Sequence, residues 1–580
     1  MNIIRGDSLP LGVTIDGNRI NFSVEVSPKS ECKLLLFKRG DSTPSYTYEL
    51  EKDLYISETR SLQIEDIDPD IVGYHYLINK ELYLDPYSKE LIGRNIWNTE
   101  TNGIVYTKLL PIKSNGILEI YQKSKHLLHK YEWLNIPEAE VIAYQLHVRG
   151  FTKHSTSKVK AKGKFLGIVE KIPYLLELGI NQIQLLPCHE FKEDGLYVNY
   201  WGYLPGCYMA VKSSYSHHSD VNDEFLHLVE ELHKHRIEII LDMPFIEAPA
   251  LPYQIECLRY FISNYNIDGF LLNPYKTNLE EIKLDPIIRT RKLIIRDEGF
   301  QNASRSFLKG DEGRVGDIIH FLQKPSIECG ISRYNYIASH DGFTMNDFVS
   351  YDRKHNELNG EKNTDGKEYN FCWNCGAEGP TRKKVVQELR KKQIRNAWTI
   401  LLLAQGTPCI LSGDEFSNTQ MGNNNAYCQD NDISWLNWKF LQKNTDVFEF
   451  VKQLIQIRKV YTHTNINETG ECPIKSSVSG IPTISYHGES AWITPDEVAS
   501  RQLGIMYASD EVNLEDCYIA YNMHWIAHKY ALPTISKDKT WYRMLSTATS
   551  EIGNAVELEN QRVAVVEPRS IEMYISKTSK

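Results

Sequence analysis

The feature that most constrains this chain is an alternation of apolar, strand-like runs with amphipathic, helix-like runs, which starts near Glu138. The strand-like runs are apolar on both faces, which is typical of parallel strands covered by helices. No GxGxxG or Walker-type loop interrupts them, so a doubly wound nucleotide-binding fold is disfavoured. Because the alternation continues as far as Glu415, it predicts a (β/α)8 TIM barrel.

Within this segment the patterns assign individual elements. Helices are expected at residues 165–180, 224–237, 255–267 and 284–291. Strands are expected at residues 141–151, 181–191, 237–245, 268–274, 292–298, 333–343 and 407–415.

Both ends of the chain have a different rhythm, with apolar residues at every second position and Asp, Gly or Pro between the runs. RINFSVEV and ECKLLLFKRG show it near the start, and DCYIAYNMHW and TWYRMLST near the end. At 580 residues the chain is too long for one hydrophobic core. We therefore predict an α/β protein with a central (β/α)8 TIM barrel at 121–460, flanked by β-sandwich domains at 1–120 and 461–580.

Composition limits the partners and the compartment. The net charge of −10 argues against nucleic acid as the main partner, and no apolar run approaches the roughly 20 residues that span a membrane. The opening MNIIRGDSLPLG lacks the apolar core of a signal peptide, so a cytoplasmic location is expected. The eleven cysteines are scattered, which fits reduced thiols. Cys372 and Cys375 form one CxxC without a second pair, so neither a metal nor a cofactor is expected.

Several motifs are specific enough to identify a family. They include VIAYQLHVRGFT, NYWGYLPGCYMAV, SHDGFTMNDFVSYDRKHNELNGEKNTDGKEYNFCWNCGAEGPT and MGNNNAYCQDN. Together they resemble glycoside hydrolase family 13, and within it the isoamylase and bacterial glycogen-debranching subgroup, which cleaves α-1,6 branches. The resemblance covers essentially the whole chain. It implies that the N-terminal sandwich is similar to a family 48 carbohydrate-binding module and that the C-terminal one is the usual capping domain.

The catalytic positions depart from that family. A retaining glycosidase needs two carboxylates about 5 Å apart, one as nucleophile and one as general acid. In the family the nucleophile ends a DGF-Arg-x-Asp motif, which reads here as DGFLLN with Leu271 and Asn273. The general-acid position is Arg296. An amide is a poor nucleophile and a guanidinium is no proton donor at pH 7, so we predict that the chain is not an active hydrolase of that type.

A second sugar-contacting motif is also degraded. It begins at Asp242, but the family's Asn and His are replaced by Ile246 and Glu247, and the loop that follows is short. The resemblance leaves four substrate-binding candidates. They are Tyr203, Trp201, His340 and Asp341.

Other interpretations of these residues stay open. His340 and Asp341 could be retained for folding alone, and Tyr203 and Trp201 could simply pack the barrel rim. A rescued activity would need Asp297 or Glu298 as a displaced acid, with Glu298 on the same strand face as Arg296.

Two further groups are poor candidates for catalysis. Asp414 and Glu415 are adjacent on a strand end and should point to opposite faces. The GNNNAYCQDN loop is interpreted as mainly structural.

Three functions compete. The first is an inactive relative of debranching enzymes that binds α-glucan (glycogen, starch or malto-oligosaccharide) and partners an active debranching or glucan-metabolising enzyme. The second is an active α-glucan hydrolase with displaced carboxylates. The third is a scaffold that no longer binds sugar. Binding without turnover, turnover, or neither distinguishes them.

Overall fold

The computed structural model describes nine stretches of the chain. They are residues 1–38, 40–50, 58–98, 106–109, 133–218, 220–324, 327–461, 482–509 and 515–578. The predicted domain boundary at 120/121 lies outside them.

The N-terminal region contains two antiparallel sheets, in the orders β1-β6-β3-β2 and β5-β4-β7-β10-β9, with β8 paired to β7. Phe22 and Ile64 of the first sheet and Leu34 and Tyr76 of the second share one buried cluster, so the sheets pack face to face. The strands are β1 (Asn2–Arg5), β2 (Gly12–Asp16), β3 (Arg19–Glu25), β4 (Cys32–Lys38), β5 (Tyr46–Glu49), β6 (Thr59–Glu65), β7 (Ile71–Ile78), β8 (Glu81–Tyr83), β9 (Leu91–Ile92) and β10 (Tyr106–Lys108).

The centre of the molecule is a closed ring of parallel strands. The ring consists of β11 (Ala143–Leu146), β12 (Gln182–Leu185), β15 (Glu238–Met243), β16 (Gly269–Leu272), β17 (Lys292–Arg296), β19 (Ile331–Asn335) and β20 (Thr407–Leu411). Three short strands accompany it, namely the hairpin of β13 (His189–Phe191) with β14 (Gly206–Val211), and β18 (Ile327–Glu328), which pairs antiparallel with β19.

The predicted barrel is confirmed, with one difference. The described ring has seven parallel strands, in the order β17-β16-β15-β12-β11-β20-β19. It closes by direct pairing of β17 with β19, which places Arg296 opposite Tyr334. Two consecutive helices, and no parallel strand among the described residues, occupy the connection between these two strands.

Helices cover the outside of the ring. They are α1 (Val148–Lys153), α2 (Phe165–Val169), α3 (Ile172–Leu178), α4 (Val221–Lys234), α5 (Leu251–Tyr265), α6 (Leu279–Ile282), α7 (Glu298–Lys309), α8 (Val315–Gln323), α9 (Met345–Phe348), α10 (Lys384–Leu403), α11 (Lys439–Lys443) and α12 (Thr445–Tyr461). The helix predicted at 284–291 is wrong: only the 3-10 turn Ile288–Thr290 forms there. Asp285 accepts hydrogen bonds from the backbone N–H groups of Ile287 and Ile288, a local pattern that replaces a helix.

The interior of the ring is filled in layers. At the amino ends of the strands, the Lys292 ammonium lies 2.7 Å from the Glu238 carboxylate. Ile240, Leu271 and Ile294 form an apolar layer above this pair. Only the carboxyl ends of the strands are left to hold a polar site, as expected for a barrel of this kind.

The C-terminal region is again antiparallel, with a six-stranded and a two-stranded sheet around Tyr518, Tyr530 and Trp541. It contacts the barrel through Asn396 of α10, whose amide donates to the Arg569 carbonyl (2.9 Å) and accepts from the Thr547 hydroxyl (2.6 Å). The strands are β21 (Ile484–His487), β22 (Gln502–Tyr507), β23 (Cys517–Asn522), β24 (His528–Ala531), β25 (Lys539–Ser546), β26 (Glu551–Glu557), β27 (Val563–Val566) and β28 (Ser570–Thr578).

Among the helices of the described residues, none combines the length and the apolar character that a membrane crossing needs.

Candidate functional site

Three of the predicted substrate-binding residues meet at the carboxyl ends of the strands. The imidazole of His340 stacks on the ring of Tyr203 (centroids 5.3 Å apart, planes 4° apart) and meets the ring of Trp201 edge-on at 4.7 Å. Gln145, at the end of β11, accepts a hydrogen bond from the His340 backbone N–H at 3.0 Å. Burial lowers the pKa of His340 to about 3, so its ring is neutral at pH 7.

Asp341, the fourth candidate, is held by the residue at the general-acid position. The Arg296 guanidinium donates to Asp341 Oδ1 and, at 2.9 Å, to Ser339 Oγ. Ser339 Oγ itself donates to Asp341 Oδ1 at 2.7 Å. Lys367 Nζ lies 3.7 Å from Asp341 Oδ2. Both oxygens of the surviving carboxylate therefore face cations of the same chain.

The charges follow from this contact. Burial raises the pKa of Asp341, but the charges of Arg296 and Lys367, the His340 ring and the hydrogen bond from Arg296 together hold that pKa well below the ordinary value. In turn burial lowers the pKa of Arg296, while the Asp341 carboxylate raises it well above the ordinary value. The two side chains, 25% and 28% exposed, therefore form an ion pair throughout the physiological pH range.

Asn273, at the nucleophile position, lies outside this cluster. It follows the end of β16, is exposed, and its side-chain oxygen accepts the backbone N–H of Tyr275 at 2.9 Å. The amide thus closes a local turn. Leu271, where the family has Arg, is 3% exposed in the apolar layer of the barrel. Neither position supplies a carboxylate or a cation to the site.

A buried acid that the sequence did not single out completes the cluster. Asp242, at the end of β15, accepts a 2.5 Å hydrogen bond from the Tyr203 hydroxyl. Burial raises the pKa of Asp242 to about 7, against the lowering effects of that hydrogen bond and of Arg296. In the sequence, the position of Asp242 as the first residue of the degraded motif was the signal that could have identified it. Lys367, in a loop far along the chain, gave none.

The rest of that motif lies away from the cluster. The backbone N–H of Ile246 donates to the Tyr208 hydroxyl at 2.8 Å, and Glu247 is exposed.

The two displaced acids considered for a rescued activity are engaged elsewhere. Asp297 caps α7 through the Gly299 N–H and lies 2.8 Å from Lys324 Nζ. The placement of Glu298 on the strand face of Arg296 is wrong: β17 ends at Arg296, and Glu298 is the first residue of α7. Its carboxylate accepts from Lys367 Nζ at 2.6 Å.

Asp414 and Glu415 lie in a 3-10 turn after β20 and are fully buried. Asp414 accepts the Met345 N–H at 2.9 Å, and Glu415 accepts the hydroxyl of Tyr144 at 2.7 Å. Burial raises the pKa of Glu415 to about 7. Each of these two acids therefore holds a neighbouring segment in place through its hydrogen bonds.

The GNNNAYCQDN loop forms an amide network with the segment around residue 360. Asn424 Nδ2 donates to Asn370 Oδ1 at 3.0 Å, and Asn423 Nδ2 to Asn359 Oδ1 at 2.8 Å. These contacts anchor the segment that carries Lys367.

The described cysteines are free thiols, with Cys375 buried and Cys372 partly exposed. Within the described stretches no group of three His, Cys, Asp or Glu side chains is arranged to hold a metal ion.

Comparisons with known proteins agree on the fold and on the family. A family profile described as "Alpha amylase, catalytic domain" matches residues 145–245. Isoamylase 1, chloroplastic, from Arabidopsis thaliana is 28% identical over 670 residues, covering 90% of this chain and 82% of that protein. A glycogen operon protein GlgX homolog from Haemophilus influenzae is 31% identical over 487 residues, covering 66% of this chain and 72% of that protein.

The same architecture is found in solved structures. Pullulanase from Paenibacillus barengoltzii, in complex with maltohexaose and α-cyclodextrin, has a TM-score of 0.74 at 18% identity, covering 99% of this chain and 96% of that one. At that identity the likeness concerns the fold.

Proposed function

Because the chain belongs to the isoamylase and glycogen-debranching subgroup of the α-amylase family, we propose that it acts in α-glucan metabolism as a glucan-binding protein that does not hydrolyse its ligand. Two kinds of relative, an isoamylase and a glycogen operon protein, carry names that refer to α-glucan. The N-terminal sandwich is proposed to act as a carbohydrate-binding module similar to family 48.

One observation carries the proposal of inactivity. The guanidinium of Arg296 stands where the acid is needed and is bonded to Asp341, a family carboxylate that survives beside it. At the nucleophile position, the side chain of Asn273 is exposed and accepts a hydrogen bond within a local turn. Loss of a catalytic unit lowers hydrolase turnover by on the order of a millionfold, so substitutions at both positions remove the family's own route to physiological turnover.

Glucan binding is supported by different groups. Trp201 and Tyr203 keep an aromatic pair beside the neutral ring of His340. Tyr203 is partly exposed, and such rings can pack against the apolar face of a glucose unit. Asp341 contributes less to this proposal, because both of its oxygens already face cations.

The test combines turnover and binding. Reducing-end release from glycogen and amylopectin is measured at high protein concentration, and glucan pull-down is run on the same preparation. We expect binding without release, and binding weakened at least tenfold in Tyr203→Ala. The matched control is Tyr275→Ala, which removes an exposed ring that is 93% accessible and outside the aromatic cluster. Turnover above that of a glucan-only blank would overturn the proposal.

One observation favours a second candidate, an active hydrolase with displaced carboxylates. Asp242 is a buried acid with a pKa near 7 in the same cluster as the ionised Asp341, and a poised acid beside an anion is what such chemistry uses. This candidate predicts turnover that is lost in Asp242→Asn and in Asp341→Asn but kept in Glu298→Gln. If neither turnover nor binding is found, a scaffold without sugar binding is the remaining function.

An active debranching or glucan-metabolising enzyme is the proposed protein partner, since a non-hydrolytic binder needs one to affect glucan structure. Co-expression with an active isoamylase, followed by size-exclusion chromatography, tests it. Independent elution of the two proteins would contradict the partnership.

A further inference from the structure

A row of lysines follows the first barrel helix, on the loop between α1 and α2. Lys158, Lys160 and Lys162 are exposed, whereas Val159 and Ala161 between them are 7% and 3% exposed. The alternation therefore turns all three ammonium groups outward and anchors the row by its apolar side chains. We refer to Lys158, Lys160 and Lys162 as the lysine ridge.

The lysine ridge is positively charged, whereas the rest of the chain carries a net negative charge. Residues 149–171 contain seven Lys or Arg and one carboxylate, Glu170, which gives this segment a formal charge of +6. Since the whole chain carries −10, the remainder carries −16. A cation-rich segment of this size in an acidic protein concentrates anions locally.

The carboxylates around the ridge do not neutralise it. Glu170 accepts the backbone N–H groups of Lys160 and Ala161, each at 3.0 Å. Asp430 is paired with Arg149 at 2.7 Å. In the part of the chain that the structure describes, no ion pair is formed by the ridge ammonium groups.

The other charged residues near the ridge contact groups outside it. Asp432, 76% exposed, faces His154 at 3.6 Å. Lys164 donates to the Ser214 carbonyl at 2.7 Å, and Lys171 lies 3.6 Å from the ring centroid of Trp438. Lys164 and Lys171 therefore add positive charge near the ridge, but they do not contact its ammonium groups.

The backbone under the ridge is held firmly. Besides the two bonds to Glu170, the Gly163 N–H donates to Thr152 Oγ1 at 2.9 Å. Gly167 of α2 lies so close that an added Cβ would be 2.3 Å from the Ala161 carbonyl oxygen. The ammonium groups therefore project from a preorganised loop, which reduces the entropy that binding would cost.

The ridge lies at the same end of the barrel as the candidate site. Its loop follows β11, so it lies on the carboxyl-end face of the barrel. His147, which begins α1, bonds the Tyr200 carbonyl at 2.8 Å, directly before Trp201. A glucan held at the aromatic cluster would extend along the same face.

We propose that the lysine ridge binds phosphate monoesters carried by an α-glucan chain. This inference rests on the proposed function. Ammonium groups bind phosphate as point charges. A long polyanion such as nucleic acid would run from the ridge onto the acidic remainder and be repelled. An otherwise uncharged glucan places its charge only at the ridge.

The experiment compares one maltodextrin in two forms, chemically phosphorylated and the same sample after phosphatase treatment, by isothermal titration with the full chain. We expect at least tenfold tighter binding of the phosphorylated form at 50 mM salt, and a smaller ratio at 500 mM. In the triple variant Lys158→Gln, Lys160→Gln, Lys162→Gln the two forms should bind equally, with the affinity for the dephosphorylated form unchanged. The matched control neutralises three exposed lysines elsewhere: Lys29, Lys80 and Lys537.

The outcomes separate the two proposals. Equal affinity of the unchanged protein for both dextrins overturns the phosphate site and leaves the proposed function standing. No binding of either dextrin overturns both. Tighter binding of a single-stranded oligonucleotide than of the phosphorylated dextrin, lost in the ridge variant, overturns the glucan as carrier. A preference that persists in the ridge variant overturns the assignment to these lysines.

Discussion

At the scale of single residues, the chemistry of the cluster depends on which acids are ionised and which are already bound. Asp341 is ionised and held by Arg296, whereas Asp242 is half protonated near neutral pH. The family's Arg is lost at position 271 and a different Arg is present at 296, one strand along the ring. A cation is thus kept in the cluster, while an amide and a guanidinium stand at the two positions where the family has carboxylates.

The ion pair between Arg296 and Asp341 should be measurable as a coupling energy. We expect Arg296→Gln and Asp341→Asn each to lower the free energy of unfolding, and the double variant to lower it by about 1–2 kcal/mol less than their sum. Urea denaturation at pH 7 gives the four values. Because the folded pKa of Asp341 is depressed, the coupling should be complete above the unfolded pKa near 4 and decrease as pH falls below it. A coupling of zero at pH 7 would contradict the pairing.

The contribution of Asp242 to stability should change with pH in the opposite direction, because the pKa of Asp242 in the folded state is raised to about 7. Between the unfolded pKa near 4 and pH 7 the folded state holds the proton more tightly, so ionisation destabilises it increasingly as pH rises. We expect Asp242→Asn to gain stability relative to the unchanged protein as pH rises from about 4 to about 7. The control is Asp194→Asn, an exposed acid. A difference that is flat with pH would disprove the raised pKa.

At the scale of elements, the turn after β16 determines whether activity can be restored. The side-chain oxygen of Asn273 accepts the Tyr275 backbone N–H, so this side chain is engaged in a local turn. We therefore expect the double variant Asn273→Asp, Arg296→Glu to release no reducing ends from glycogen above the unchanged protein, although it contains both acids. A rate increase of tenfold or more would show that the two substitutions alone cause the loss of activity.

Close packing of α2 under the lysine ridge gives a stability prediction. An alanine Cβ at Gly167 would lie 2.3 Å from the Ala161 carbonyl oxygen and 2.6 Å from Thr152 Oγ1. We expect Gly167→Ala to lower the free energy of unfolding by about 2 kcal/mol. Gly316, in α8, has no atom within 4 Å of such a Cβ, so Gly316→Ala should be neutral or stabilising by up to about 1 kcal/mol. Equal effects in thermal denaturation would refute the contact.

The elements also show what the sequence could and could not predict. Apolar runs located the barrel strands, because a strand buried on both faces has few alternatives. The same pattern extended β17 to Glu298, because the apolar run outweighed the one sign of a helix start, the N-cap residue Asp297. The replacements at 273 and 296 were readable from the motif. The Arg296–Asp341 contact and the approach of Lys367 were not, because they join segments far apart in the chain.

At the scale of the whole molecule, Asn396 links the barrel to the C-terminal sheets and has no exposed surface. Asn396→Ala leaves the Arg569 carbonyl and the Thr547 hydroxyl without this partner. We expect a loss of about 2–3 kcal/mol, and a separate, earlier calorimetric transition of the C-terminal region. Glu388→Ala, an exposed change on the same helix, is the control. A single unshifted transition would show that the two regions do not depend on this contact.

The seven-stranded ring limits the evolutionary changes that are open to this chain. Adjacent strands are about 4.8 Å apart, so an intervening strand would separate β17 from β19 by about 10 Å; here they are direct neighbours. The side chain of Arg296 reaches Asp341 across that single spacing. Single-base mutations can exchange Asn273 or Arg296, but they cannot insert a strand and its crossover. Under the proposed function, regaining the geometry of an eight-stranded barrel would therefore need an inserted strand and crossover in addition to carboxylates at positions 273 and 296.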